Sequence, residues 1–139
     1  MTDITTALIE LNIKDWILRG TPENESQYRR MFRKIIGKNS DGTGIESDDH
    51  TKFGATWAEI TAKIDELKAA EPMRLLRRER DRLIAETDWW ASSDLTITDA
   101  QKKYRQDLRD ITKTANPKIT GEGPSTALDM SSVTWPTKP

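Results

Sequence analysis

Cysteine is absent from the chain, so no disulfide framework and no thiol chemistry is available. Histidine occurs once, as His50. With no second histidine and no cysteine, the usual transition-metal donor sets are missing, and a Ser-His pair would have to be built on this residue alone. Long hydrophobic runs are absent as well. No apolar stretch approaches the roughly 20 residues that a membrane helix needs. The start, Met1-Thr-Asp-Ile-Thr-Thr, lacks the basic-then-apolar pattern of a signal peptide. The expected setting is therefore a reducing cytoplasm, with no membrane partner. Charge of one sign is also lacking: 22 basic and 23 acidic residues leave a formal net charge of −1, which argues against a dedicated nucleic-acid binder. Apolar residues are sparse at 35%, against 32% charged, so the 139 residues hold one domain or two small lobes that lean on a partner surface to complete their burial.

What the chain does have is tryptophan, five in all, and a series of helix-start signals. Asp3, with Thr6 three residues on, caps an expected helix over about 3–19 that is apolar around much of its circumference. Asn24 with Gln27 caps a second over 24–36, where Tyr28, Met31, Phe32, Ile35 and Ile36 follow helical spacing. The stretch 38–55 reads as a long acidic, Gly-containing loop. Thr56 and Glu59 open a third helix over 56–70. Ala69-Ala-Glu-Pro72 then makes a kink or short break into an Arg-rich helix. In that helix Met73, Leu76, Leu83 and Ile84 share a face. Thr98 with Gln101 starts the last helix, whose apolar line is Tyr104, Leu108 and Ile111. From Asn116-Pro117 onward Gly, Pro, Ser and Thr dominate, which reads as an extended arm anchored by Ile119, Leu128, Met130, Val133 and Trp135.

The fold class expected from these patterns is all-α. About five helices form two helical hairpins, with the long loop between them and the arm at the end. The domain reading is an N-terminal helical region over 1–71, a helical hairpin over 72–116 and the arm over 117–139.

Candidate chemistry is thin. Read as a calcium loop with Gly42 at its sixth position, 38–55 puts Gly37 first and Asp48 twelfth, so the first side-chain ligand and the bidentate glutamate are both missing. No phosphate-cradling loop is present, because Gly42-Thr43-Gly44 lacks the following Lys-Ser/Thr. Arg74, Arg77, Arg78, Arg80 and Arg82 are interrupted by Glu79, Asp81 and Glu86, which suits intramolecular pairing or docking to an acidic partner better than nucleic acid. No catalytic residue, metal ligand or cofactor is assigned, and an enzyme is not expected.

Trp89-Trp90 and Trp135-Pro136 are the candidates for a binding surface. Adjacent tryptophans do not easily both enter one small core, and Trp and Arg are enriched at interface hot spots. The competing reading is that the pair only closes the end of the helical core. Tyr104, Arg105 and Arg109 lie beside them on the last helix; the two arginines either serve a partner or tie that helix to its neighbour.

One ordered series of residues carries a resemblance: Arg78, Arg80-Asp-Arg-Leu83, Thr87-Asp-Trp89, Tyr104-Arg-Gln106, Leu108-Arg-Asp-Ile111 and the terminal Val133-Thr-Trp-Pro-Thr-Lys-Pro139. From about Met73 to Pro139 the chain resembles the tail assembly chaperone family of tailed bacteriophages. The first half is similar to the leading part of small proteins of marine cyanobacterial phages. Asn116 to Ser132 is longer than the short connection this pattern would have. The resemblance implies a protein that helps tail or tail-fibre proteins fold and assemble in the host cytoplasm. Its implied partner is a phage tail or tail-fibre protein, with a homo-oligomer also compatible. Two other classes stand beside it: a minor virion protein held permanently at the tail, connector or fibre base, and a small nucleic-acid-binding regulator, which the charge balance disfavours.

Overall fold

The computed structural model describes residues 3–139. The chain divides after Lys68 into two compact units.

In the N-terminal unit, α1 covers Ile4–Glu10, and its Asp3 cap accepts the amide of Thr6 at 2.9 Å. The expected helix to about residue 19 stops here. Asn12 and Asp15 take φ of 58° and 54°. These left-handed values end a right-handed helix, and short polar side chains are the non-glycine residues that tolerate them best. The aromatic and branched run behind them becomes a strand instead, β1 (Trp16–Leu18).

The second helix is shortened in the same way. α2 (Glu25–Met31) keeps its Asn24 cap, which accepts the amide of Gln27 at 2.9 Å, and then passes directly into β2 (Phe32–Lys38). The expected loop over 38–55 contains a third strand, β3 (Gly44–Ser47), and a 3-10 turn, His50–Lys52. The three strands form an antiparallel sheet in the order β1-β2-β3, with Leu18 opposite Phe32 and Lys38 opposite Gly44. The acidic side chains of the former loop serve its turns. Asp41 accepts from the Thr43 amide and hydroxyl, and Asp49 from those of Thr51, which holds both carboxyls below the usual range.

The core of this unit is aromatic. Phe32 lies 4.6 Å from Phe53 and 5.2 Å from Tyr28, centroid to centroid, over Leu8 and Ile60. Tyr28 donates its hydroxyl to the Ala55 carbonyl at 3.0 Å, and burial, with the Glu59 carboxylate adding, pushes the phenol up to about 12.

α3 (Trp57–Ala85) supplies residues to both units. Its start is the expected capping box: Glu59 accepts the Thr56 amide at 2.7 Å, and Thr56 Oγ1 accepts the Glu59 amide at 3.2 Å. The expected break at Pro72 is absent, and the helix is continuous through it. Proline removes one intrahelical donor, and the good helix formers on both sides carry the turn.

In the C-terminal unit, α3 is followed by a 3-10 turn, Asp88–Ala91, and then by α4 (Asp99–Asp110), which starts with the Thr98/Gln101 capping box. The expected extended arm is folded. β4 (Lys118–Thr120) and β5 (Ala127–Asp129) pair antiparallel, with Ile119 opposite Leu128. The turn between them needs Gly121, at φ 80°, where a Cβ would lie 2.3 Å from the Ser125 carbonyl oxygen. Val133 joins Leu76 and Ile111 in one apolar cluster, with Leu128 and Trp135 packed on it.

The all-α expectation with its two hairpins is therefore corrected. Among the described residues the fold is mixed α/β, with four α-helices and five strands in two antiparallel sheets. No helix among them is long and apolar enough to cross a membrane.

Candidate partner-binding corner

The end of α3, the turn after it and α4 converge on Arg105. Its Nη1 donates to Thr87 Oγ1 at 2.7 Å and to the Ile84 carbonyl at 3.1 Å, and its Nη2 donates to Asp88 at 2.9 Å. Thr87 is fully buried, and its hydroxyl donates in turn to the Ile84 carbonyl at 2.9 Å. The last carbonyls of a helix have no intrahelical donor. Here one of them is satisfied by a threonine and a guanidinium fork, which fixes the direction in which the chain leaves α3.

Above this lock sits an apolar cluster of Trp90, Tyr104 and Leu108, with Leu83, Ile84, Ile97 and Trp135 packed on it. The Trp90 and Tyr104 rings are 5.9 Å apart, and both residues are only 4% exposed. Trp89, next in sequence, points the other way. It is 62% exposed and meets Trp90 edge-on at 6.2 Å. A short 3-10 turn sends consecutive side chains in different directions, so the pair divides between core and solvent.

The remaining candidates fall around this corner. Trp135 is half-buried, packs on both apolar clusters and donates its indole N–H to the Met130 carbonyl at 3.2 Å. Pro136 lines a shallow groove with Trp135, Asp107 and Ile111. Arg109 is exposed and lines a second groove with Ala91, Ile97 and Arg105. The structure thus brings Trp90, Tyr104, Arg105 and Trp135 into one packed assembly. Trp89 and Arg109 are left on its surface.

Two participants stand in the ordered series quoted above but were not among the candidate site residues. Thr87 is one; its signal is its place directly behind the helix and beside Asp88. Lys138 is the other, with Nζ 5.8 Å from the Trp90 centroid and 4.0 Å from Glu86. A cation over a ring holds this segment there by about 0.5–1 kcal/mol, a contact that spacing alone does not indicate. The Arg-rich helix is largely self-paired: Arg74 with Glu71, Arg80 with Asp81, and Arg82 with both Glu79 and Glu86. The Arg82 hydrogen bonds hold the Glu79 carboxyl below its usual range.

Arg105 is 11% exposed at its side chain. Replacing it by alanine removes three charge-assisted bonds and is expected to cost about 1.5–3 kcal/mol. Arg105→Lys should recover little, because an ammonium cannot reproduce the fork. Arg109→Ala should stay within about 0.5 kcal/mol. Urea unfolding of the three variants measures this, and equal midpoints for R105A and R109A would refute the lock.

No curated protein and no solved structure matches the chain. Residues 73–139, which hold the Arg105 lock, the two apolar clusters and the terminal Trp135-Pro136, match the family model for the phage tail assembly chaperone protein.

Proposed function

We propose that the protein assists the folding or assembly of a phage tail or tail-fibre protein by direct contact, using the corner around Trp89. The match of residues 73–139 to the phage tail assembly chaperone model supports a role in phage tail assembly. The observation that carries the finer reading is Trp89, 62% exposed on a turn that the Arg105 lock holds in place. A large aromatic fixed in solvent gives a partner contact area at small entropic cost. Binding, not catalysis, is the action proposed, and the host cytoplasm is its place. Leu128, Val133 and Trp135 are packed inside their own unit. They are thus engaged within the chain itself, and of the arm's apolar residues Ile119 and Met130 stay exposed.

Two measurements test the reading together. The first is co-expression with each tail and tail-fibre protein of the same phage, reading the soluble fraction of the latter. One of them should become soluble with the intact chain and much less so with Trp89→Ala. The second is mass spectrometry of purified particles, in which the chain should be absent while abundant in infected-cell lysate. Stoichiometric presence in particles, with no effect on solubility, would make it a structural tail component instead.

A further inference from the structure

The groove walled by α4 has a chemistry that specifies more than a generic contact. Its floor is apolar, made by Ala91 and Ile97, and its wall is the α4 face bearing Lys102, Arg105 and Arg109, with Gln106 between them. These positions fall at i, i+3, i+4 and i+7, so they share one side of the helix. Lys103 adds a fourth cation, no carboxylate lines the groove, and its volume is about 510 Å³.

The cations differ in how far they are already engaged. Arg105 belongs to the lock described above, and Lys103 pairs with Asp107 at 2.6 Å. Lys102 meets only Asp99, at 3.4 Å, and that carboxylate is fully exposed, so water competes for it throughout. Arg109 makes no ion pair among the described residues, because the adjacent Asp110 is taken by Lys113 at 2.7 Å and Gln106 at 3.0 Å. One free guanidinium and one loosely held ammonium therefore flank an apolar floor. Ala91 closes the same 3-10 turn that exposes Trp89.

We propose that this groove receives an acidic peptide segment of the partner, with one apolar side chain over Ala91 and Ile97 and carboxylates at Lys102 and Arg109. This rests on the reading of the chain as a tail-protein binder, and it adds the chemistry of what is bound. Charge complementarity selects the occupant. A basic or neutral segment would leave Arg109 unmatched, and an acidic one gives it a bidentate partner. Nucleic acid is the other anionic class. It is disfavoured by the number of charges: a phosphate backbone carries one on every nucleotide and would have to run past Asp88, Asp99, Asp107 and Asp110, whereas a short peptide places carboxylates only at Lys102 and Arg109.

The test places a photo-crosslinking amino acid at Gln106 in the full-length chain and irradiates phage-infected cells. A control carries the probe at Met130, an exposed position on the arm. Crosslinks from position 106 should map to a segment of a tail protein rich in Asp and Glu around one apolar residue. That segment is then made as a labelled peptide. The double variant Lys102→Glu with Arg109→Glu should weaken its binding by about tenfold or more, and a peptide with its acids changed to lysine should regain affinity for the double variant only. A crosslink to a basic or uncharged segment, to nucleic acid, or equally from position 130 overturns the proposal. So does unchanged peptide affinity in the double variant. If a tail protein is held and only Trp89→Ala releases it, the groove assignment fails while the tail-protein reading stands. If no tail protein is held at all, both fail.

Discussion

Phe32→Ala is expected to destabilise the N-terminal unit by about 3–5 kcal/mol, a large part of the roughly 5–15 kcal/mol that holds a typical domain together. Phe32 is fully buried, with Trp16, Tyr28 and Phe53 at ring distances of 6.1, 5.2 and 4.6 Å. It is also the residue at which α2 ends and β2 begins. Its truncation leaves a cavity that three aromatic neighbours cannot collapse to fill, because two of them are held from elsewhere. Tyr28 is tied to the Ala55 carbonyl, and the Trp16 indole donates to the Ile13 carbonyl at 3.0 Å. Ile36→Ala, on the same strand but 52% exposed, should change stability by no more than about 0.5 kcal/mol. Urea denaturation followed through the amide signals of β1 to β3 reads both. Equal shifts for the two variants would mean that the aromatic cluster is not the core of this unit.

The same segment shows where the sequence was legible and where it was not. The caps at Asp3, Asn24, Thr56 and Thr98 were legible because capping is local: donor and acceptor lie three residues apart and need no tertiary partner. The switch from α2 to β2 was not. Tyr28, Met31, Phe32, Ile35 and Ile36 satisfy helical spacing, while Phe32 to Ile36 is also a run that fits a pleated, half-buried surface. Which reading wins is decided by pairing with Trp16–Leu18 and Gly44–Ser47, far along the chain. Gly37 follows directly on the helix expected over 24–36, as a helix stop would. It is part of the irregularity in β2 between Ile35 and Gly37, and a Cβ there would be 3.4 Å from Ile45 Cδ1. The arm hid its strands for a different reason. Three residues per strand are too few for a period-2 pattern to stand out from the Gly, Pro and Ser around them.

At the corner, Trp90, Tyr104 and Trp135, all named from the sequence, pack together, and the sequence left their division of labour open. Trp, Tyr and Arg in one ordered series mark a place where large and charged groups must be accommodated. Spacing alone does not say which tryptophan is inside. That is set by the 3-10 turn, and the turn is set by the threonine and arginine that close the end of α3. Arg105 and Arg109 are one helical turn apart and alike in type. One is a nearly buried tether and the other a surface charge with no ion pair among the described residues, because only Arg105 faces the helix end that needs a donor.

That division gives the second large effect. Trp90→Ala should cost about 3–5 kcal/mol, since it empties the cluster shared with Tyr104 and Leu108. Trp89→Ala should change stability by no more than about 0.5 kcal/mol, because the side chain is mostly in solvent. If the corner is the binding surface, the order reverses in a binding measurement. Trp89→Ala should then weaken the complex by about 2 kcal/mol or more, as hot-spot aromatics do. Trp90→Phe, which keeps much of the buried volume, should bind nearly as the parent chain does. Calorimetric melting and titration of the purified partner read the two scales separately. A Trp89→Ala chain that melts and binds like the parent would remove Trp89 from the interface and leave the groove beside Arg109 to carry it alone. A Trp90→Ala chain as stable as the parent would contradict the burial on which the whole corner is built. Of the two tryptophans the exposed one is thus the discriminating variant: it changes the proposed function without changing the fold that presents it.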